Sequence, residues 1–525
     1  MAKVLSGAGK VFVSHTPGVR PRIDRISIQN FRAFPGTGNP EIDLNGKNLL
    51  VYGENGAGKS SIFHALDEFF SIDPATIVSR KKLLESQANI FSPDGSELTS
   101  VTVTFAGGDP IAWSDKGHPV DIVGVAPVVI EGAYRKAMLD YRALLDVNYK
   151  FIGQDINLFP AFISVLLRDM PVPYNGTPRE LARIWRRTKS FFDARHTASR
   201  RDLIDAMMAA INAAIDLTLP ALKDATNKFL KLLKCDDLEI VDFEFSHLGC
   251  NWTRPRAARK IRNQKIGFML KQRGEEIGRP HHFLNEARLS SLALAFYLAG
   301  RQIMTQTLQL DTPKLMVLDD VLVGLDQSNR LPVLDLLKTE FEEWQIVLLT
   351  HDRVWFEMAR AHLPEEGAQA WTTIELFEGT DPSGVTRPVQ RPHNMDQVID
   401  NLTIANTFLA ANHDNAAAVH TRIAFEQSLK KFCEKRSVPV AFKANPKELK
   451  TEDLLNAVDA WLVEPKHAAK RAAKKVVLDP LLQAARASQR VILNPYSHST
   501  PVTLAKGEVK SAIDAVQNLN AEFRK

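Results

Sequence analysis

One unbroken run constrains this 525-residue chain most: Gly53, Glu54, Asn55, Gly56, Ala57, Gly58, Lys59 and Ser60. Its spacing is that of a phosphate-binding loop, and its flanks fit the role. The apolar run Leu49–Tyr52 reads as a strand, and Ser61–Phe70 reads as a helix. Glycines let backbone N–H groups turn inward around an anion, and the following helix directs its positive end at the same point. In such a loop Lys59 reaches the outer phosphates, and the Ser60 hydroxyl takes a Mg²⁺ position. Residues Gly53 to Ser61 are therefore the expected nucleotide-binding set, with ATP and Mg²⁺ as the expected ligands.

A second landmark lies far downstream. Lys314–Asp320 is an apolar strand ending in two carboxylates, the Walker B arrangement. Asp319 is placed to hold Mg²⁺, and Asp320 to orient or deprotonate an attacking water. Val321–Asp326 follows as a short turn with a further carboxylate, and Trp344–Thr350 reads as another buried strand with His351 at its end. Open α/β sheets bind ligands beyond the carboxyl ends of their strands, so three separate segments are expected to converge. Upstream, Arg25–Phe34 alternates like a strand and turn. Arg32 in that turn either supplements the positive charge at the phosphates or is a surface arginine at a hairpin.

Composition sets outer limits. Apolar residues make up 45% of the chain and charged residues 24%, as in ordinary globular proteins. A net charge of +5 over this length does not by itself indicate a nucleic-acid partner. Three widely separated cysteines (Cys235, Cys250, Cys433) argue against a disulfide framework or structural zinc, and for a reducing, cytoplasmic setting. No stretch is read as a signal peptide or as long enough to span a bilayer.

Between the two motif-bearing regions lies an insertion, about residues 126–280, with helices expected over Tyr134–Val147, Arg179–His196 and Asp202–Leu233. Strands are expected over Leu238–Phe245 and Lys265–Leu270. Two basic groups stand out: Arg179, Arg183, Arg186, Arg187 and Lys189 near Trp185, and Arg254, Arg256, Arg259, Lys260, Arg262 and Lys265 near Trp252. Such groups either neutralise nucleic-acid phosphates or solvate a helix face. From about residue 395 the sequence becomes Ala-rich, with expected helices Met395–Asn412, Asn415–Lys435, Lys450–Leu462, Pro465–Lys475, Pro480–Asn494 and Lys506–Phe523.

The order of P-loop, helix, Walker B, Gly-Leu-Asp turn and strand-end histidine resembles the ABC-type ATPase heads of the SMC, RecF and RecN class. Ile28–Phe34 is similar to that class's first strand and turn, whose arginine contacts phosphate. The resemblance implies an α/β head (20–125 and 281–385) around a short helical lid (126–280), forming a head-to-head dimer around two ATP molecules. It implies that Asp326 lies at the dimer seam and that His351 is the switch histidine near the γ-phosphate. Two departures stand out. The usual catalytic Glu is Asp320 here, so either hydrolysis is slow or the attacking water binds closer. The signature motif is reduced to Leu284–Ser290, in which Asn285 either caps the next helix or also contacts the partner's nucleotide. The tail (395–525) resembles HEPN-like helical modules; Arg490 and His498 are the residues an RNase would use, but their spacing is wider than that of such nucleases, which favours a dimerisation or partner-docking module.

Taken together, head, lid and tail resemble the ATPase subunit of Septu-type antiviral systems, PtuA. That family implies a separate nuclease partner of the HNH type. A RecF/RecN-like repair ATPase with ATP-gated DNA binding, and an ATP-regulated HEPN-type RNase, stay open as alternatives.

Overall fold

The computed structural model describes residues 21–71, 84–92, 99–114, 117–119, 129, 132–133, 135–144, 157–174, 176–278, 280–306, 313–380, 384–392, 397–441, 443, 449–465, 468–489 and 505–525. The chain divides into two units, one ending at Pro392 and the other starting at His393.

The first unit opens with β1 (Ile23–Gln29), β2 (Ile42–Asp43), β3 (Asn48–Gly53) and helix α1 (Lys59–Phe69). Strands β4 (Ser100–Phe105), β5 (Pro110–Trp113) and β6 (Ala137–Asp140) follow. The insertion supplies α2 (Leu181–Asp193), α3 (Ala198–Leu232), β7 (Leu238–Phe245), β8 (Ile266–Gln272) and β9 (Glu275–Ile277). The chain then returns through α4 (Glu286–Gln306), β10 (Leu315–Asp319), α5 (Gln327–Glu340), β11 (Gln345–Thr350) and α6 (Arg353–His362). A hairpin, β12 (Trp371–Thr380) and β13 (Thr386–Pro392), closes the unit.

Six strands form the main sheet in the order β13-β12-β3-β11-β10-β6. All neighbours pair in parallel except β13, which runs antiparallel on β12. Every residue of β3, β10 and β11 is buried, the signature of parallel strands covered on both faces. Alternate side chains go to opposite faces. Leu49, Val51, Val317 and Val347 pack with Ile62 and Leu66 of α1 and with Ile26, Ile28, Val101 and Val103 of the antiparallel sheet β2-β1-β4-β5. Leu50, Leu318 and Leu348 pack on the other face with Leu292 and Phe296 of α4.

The insertion departs from expectation at its start. Ala137–Asp140 is not helical but a strand, parallel to β10, with Asp140 level with Asp319. Its four-residue run is too short to carry a period of its own, and pairing with a buried neighbour decides its conformation. The strands expected at Leu238–Phe245 and Lys265–Leu270 form as β7 and β8, in a separate antiparallel sheet with β9.

Helix α3 corrects the expectation that nothing is long enough to span a bilayer. By length and composition alone it qualifies, with hydropathy 1.4 over 18 residues, of which 39% are buried. One face of it is buried: Ile204, Met207, Met208, Ile211 and Ile215 pack against the core, whereas Asp202, Asp205, Asp216 and Leu217 are exposed.

An ion-pair chain ties α1, the insertion and α4 together. Lys136 Nζ lies 2.6 Å from Asp67 Oδ1, and Arg168 lies 3.7 Å from Asp67 and 3.4 Å from Asp169. Arg301 of α4 lies 3.1 Å from Asp169 and also donates to the backbone oxygen of Lys136. Burial pushes the Asp67 carboxyl up, but Lys136 and Arg168 outweigh it and hold the carboxyl below the usual range.

The second unit contains α7 (Gln397–Ala410), α8 (Asp414–Lys435), α9 (Thr451–Val463), α10 (Ala468–Ser488) and α11 (Lys506–Arg524) around a core that includes Phe425, Leu455, Leu482 and Ile513. Phe432 and Phe523 stack with ring centroids 4.2 Å apart. The helices expected on either side of Pro480 are one continuous helix with Pro480 inside it. Packing of Leu478 and Leu482 into the core outweighs the lost backbone hydrogen bond. Arg490 and His498 lie outside the described residues.

Lys136→Met should destabilise the first unit by about 3 kcal/mol in urea unfolding, because it strands the Asp67 charge. Adding Asp67→Leu should recover most of that loss. Equal instability of the single and double variants would show that the pairing is not the cause.

Candidate functional site

Four of the sheet's parallel strands, β3, β11, β10 and β6, end at one edge, and the chain's chemistry gathers there. At the end of β3 the loop turns through Gly56 and Gly58 at φ 94° and 100°, a region L residues enter at a cost. A Cβ on Gly58 would also press on Pro388 at 3.0 Å and Phe34 at 3.3 Å, so a side chain there would be both strained and crowded. The loop hands directly into α1, whose first turn carries no acidic residue to oppose an anion.

Lys59 is buried at the mouth of that helix. Its Nζ donates to the backbone oxygens of Gly53 (2.6 Å) and Glu54 (3.1 Å). Burial lowers its pKa, while Asp320 and Asp319 pull it back up. Ser60 Oγ donates to Asp319 Oδ2 at 2.7 Å, joining residues 259 positions apart. Asp319 is 6% exposed, and its other oxygen, Oδ1, is buried without a hydrogen-bond partner. Burial raises its pKa to about 6, with Asp320 and Asp140 adding to the rise against Ser60 and Lys59. A buried carboxylate oxygen left unpaired beside a serine hydroxyl is the donor set a divalent cation satisfies, so Ser60 and Asp319 fit Mg²⁺.

Asp320 sits one residue beyond β10 at φ 54°, which swings its carboxylate off the strand line. Its Oδ1 accepts from the His351 backbone N–H at 2.9 Å and lies 2.9 Å from His351 Nδ1. The histidine therefore holds the carboxylate from both its backbone and its ring.

The structure thus brings together Lys59, Ser60, Asp319, Asp320 and His351. Arg32 lies beside the loop, at φ 51°, with Nη1 donating to Gln87 Oε1 at 3.2 Å. Ser61 is buried, and its hydroxyl accepts from the Ala33 N–H at 3.3 Å. It braces the Arg32 turn. Asn285 caps α4, accepting from the Arg288 N–H at 2.9 Å. Asp326 stands exposed at the N-cap of α5, with no side-chain cap bond.

Two residues escaped sequence reasoning. Asp140 ends β6 level with Asp319 and was hidden by the helical reading of its segment. Arg330 is 8% exposed and clamps the turn after Walker B. It donates to the backbone oxygens of Leu325 (2.9 Å) and Val323 (3.3 Å) and to Asp352 Oδ2 (2.6 Å). Only its place four residues after Asp326 marked it, since no motif names it. A Cβ on Gly324 in the same turn would meet Ser290 Oγ of α4 at 2.7 Å, so a side chain there would force Ser290 to move.

Residues 25–120 match the family model of the AAA domain. No curated protein matches the chain. Among solved structures, an SMC head bound to the C-winged helix domain of ScpA aligns at 15% identity, with TM-score 0.36, covering 71% of this chain and 99% of that one. The Pyrococcus furiosus Smc head with an extended coiled coil, bound to the C-terminal domain of ScpA, aligns at 14%, TM-score 0.39, covering 73% and 99%. The SMC head domain from Thermotoga maritima aligns at 14%, TM-score 0.29, covering 70% and 99%.

The raised pKa of Asp319 has a sign that can be checked. A carboxyl whose folded pKa lies above its unfolded value stabilises the fold when protonated, and that stability is lost as pH rises through about 6. Without nucleotide and metal, Asp319→Asn should therefore be more stable than wild type at pH 7.5 by about 2 kcal/mol. The advantage should vanish near pH 4, as followed by thermal melting. A variant less stable at both pH values would contradict the burial argument.

Proposed function

We propose that this chain is an SMC/RecF-type ATPase subunit that binds ATP with Mg²⁺, turns it over slowly, and uses a nucleotide-dependent dimer to control a partner nuclease. The observation that carries this reading is the meeting of Lys59, Ser60, Asp319, Asp320 and His351 at one sheet edge. Lys59 neutralises the outer phosphates by exchanging its loop carbonyl partners for phosphate oxygens. Ser60 and Asp319 are the residues that would hold Mg²⁺, which supplies charge neutralisation at the phosphates. Asp320 orients the attacking water and accepts its proton, with His351 fixing the carboxylate's direction. One methylene shorter than Glu, Asp320 reaches less far, which favours slow turnover.

Asn285 and Asp326 belong to the dimer part of the reading. Both are exposed at helix N-termini, and Phe283 beside Asn285 is 73% exposed. A second head packed on this edge would cover them. The nuclease partner of HNH type, the antiviral setting and the Septu-type (PtuA) assignment rest on the sequence resemblance.

Nucleic acid is the proposed partner of the lid. The second basic group reaches the segment between α2 and α3: Arg259 Nη1 lies 3.2 Å from His196 Nδ1, and Arg201 and Arg259 both lie over the Trp252 ring. Such binding would be independent of sequence and would weaken steeply with salt.

Asp320→Asn tests the catalytic assignment. Phosphate release should fall at least about 100-fold while ATP binding and nucleotide-dependent mass in solution persist. Turnover at the wild-type rate would remove Asp320 from the mechanism, and a mass indifferent to nucleotide would remove the dimer switch.

A further inference from the structure

The turn after β10 and the segment after β11 are joined in a closed ring of contacts, and one side chain completes it. Asp320 begins the turn, and its backbone oxygen accepts from the Val323 N–H at 3.3 Å. The Leu322 oxygen accepts from the Leu325 N–H at 3.1 Å. The carbonyls of Val323 and Leu325 both go to Arg330 of α5, at 3.3 Å and 2.9 Å. Its third nitrogen, Nη1, donates to Asp352 Oδ2 at 2.6 Å. Asp352 follows His351 in the chain, and the His351 N–H and ring hold the Asp320 carboxylate. The path thus returns to its start, running from the Asp320 backbone through Val323, Arg330, Asp352 and His351 to the Asp320 carboxylate.

This ring holds a conformation that the chain would not keep unaided. Asp320 stands at φ 54°, a region that L residues other than glycine enter at a cost, so its surroundings must over-determine it. On the far side, Asp352 is itself fixed. Its Oδ1 accepts from the Trp355 N–H at 3.0 Å, and its own N–H donates to Thr350 Oγ1 at 3.1 Å. The next residue, Arg353, lies 2.7 Å from the buried Glu375 of β12. Arg330 therefore ties a strained turn to an anchored one.

The residue type matters. A planar guanidinium serves two carbonyls and a carboxylate in three directions at once, whereas lysine offers one point charge on a flexible stem. The hydrogen bonds of Arg330 go to none of Lys59, Ser60 or Asp319. Its influence is confined to the direction of the Asp320 carboxylate and its distance from His351.

We propose that Arg330 is a positioning residue for turnover, holding Asp320 and His351 in their mutual geometry without contributing to nucleotide binding. The proposal rests on the reading above that Asp320 orients the attacking water. A carboxylate displaced from that water loses rate, while the ground-state contacts of the phosphates are untouched.

Steady-state phosphate release and equilibrium ATP affinity of the full chain, both with Mg²⁺, test it in wild type, Asp320→Asn, Arg330→Lys, Asp352→Asn and the double variant of the last two. Asparagine at 352 keeps a cap for α6 and removes the charge that Arg330 meets. Arg330→Lys should lower kcat by about tenfold to about 100-fold and change ATP affinity by less than about twofold. Asp352→Asn should act in the same direction, and the double variant should lose little more than the worse single one, because both break one ring. Losses that multiplied would show Arg330 and Asp352 acting separately and would overturn the ring. Wild-type kcat in Arg330→Lys, or equal losses of kcat and ATP affinity, would overturn the positioning role while a slow Asp320→Asn left the catalytic reading standing. Wild-type turnover by Asp320→Asn would remove that reading and the proposal with it.

Discussion

Parallel pairing is the constraint on which this molecule depends. Because β3, β11, β10 and β6 all run one way, their carboxyl ends share one edge, and residues from positions 59 to 351 become neighbours. The pairing needs no special chemistry. It needs strands apolar on both sides, and Leu49–Val51, Leu315–Leu318 and Ile346–Leu349 provide that. Polar residues at those strand ends are then forced together at the rim of a dry core, where each charge has its greatest effect.

Proximity sets up an electrostatic tension that a ligand would relieve. Asp319 is buried, has one oxygen without a partner, and is raised toward neutrality, while Lys59 folds back on its own loop. Asp320 is held off the strand axis by His351, and Arg330 clamps the intervening turn to the residue after that histidine. The same α1 that begins at Lys59 ends at Asp67, where the Lys136, Arg168, Asp169 and Arg301 chain begins. A shift of α1 on binding phosphate would therefore be felt in the insertion and in α4 through contiguous ion pairs, a physical route for coupling.

Contiguity decided what could be read from sequence. The loop from Gly53 to Ser60 is legible because its residues are adjacent and its function needs that spacing. Asp319, Asp320 and His351 are legible because each ends a long apolar run. Asp140 ends a run of only four, so its pairing with β10 could not outweigh the helical look of its surroundings. Arg330 carries no motif, because its job is to reach backbone carbonyls, which any chain supplies. Pro480 read as a break because its local cost is visible in sequence while the packing of its neighbours is not. The contact of the Ser61 hydroxyl with Ala33 joins segments 28 positions apart, which adjacency to Ser60 does not reveal. A cavity beside Gly56 is assembled from four separate segments and has no sequence signature at all.

The central claim is that Asp319 and Ser60 complete the phosphate loop by holding its metal. Equilibrium ATP affinity of wild type and Asp319→Ala, each measured with Mg²⁺ and with EDTA, tests it most directly. The account predicts that Mg²⁺ tightens ATP binding to wild type by about tenfold or more and leaves the variant nearly unaffected. An equal gain from Mg²⁺ in both proteins would contradict it.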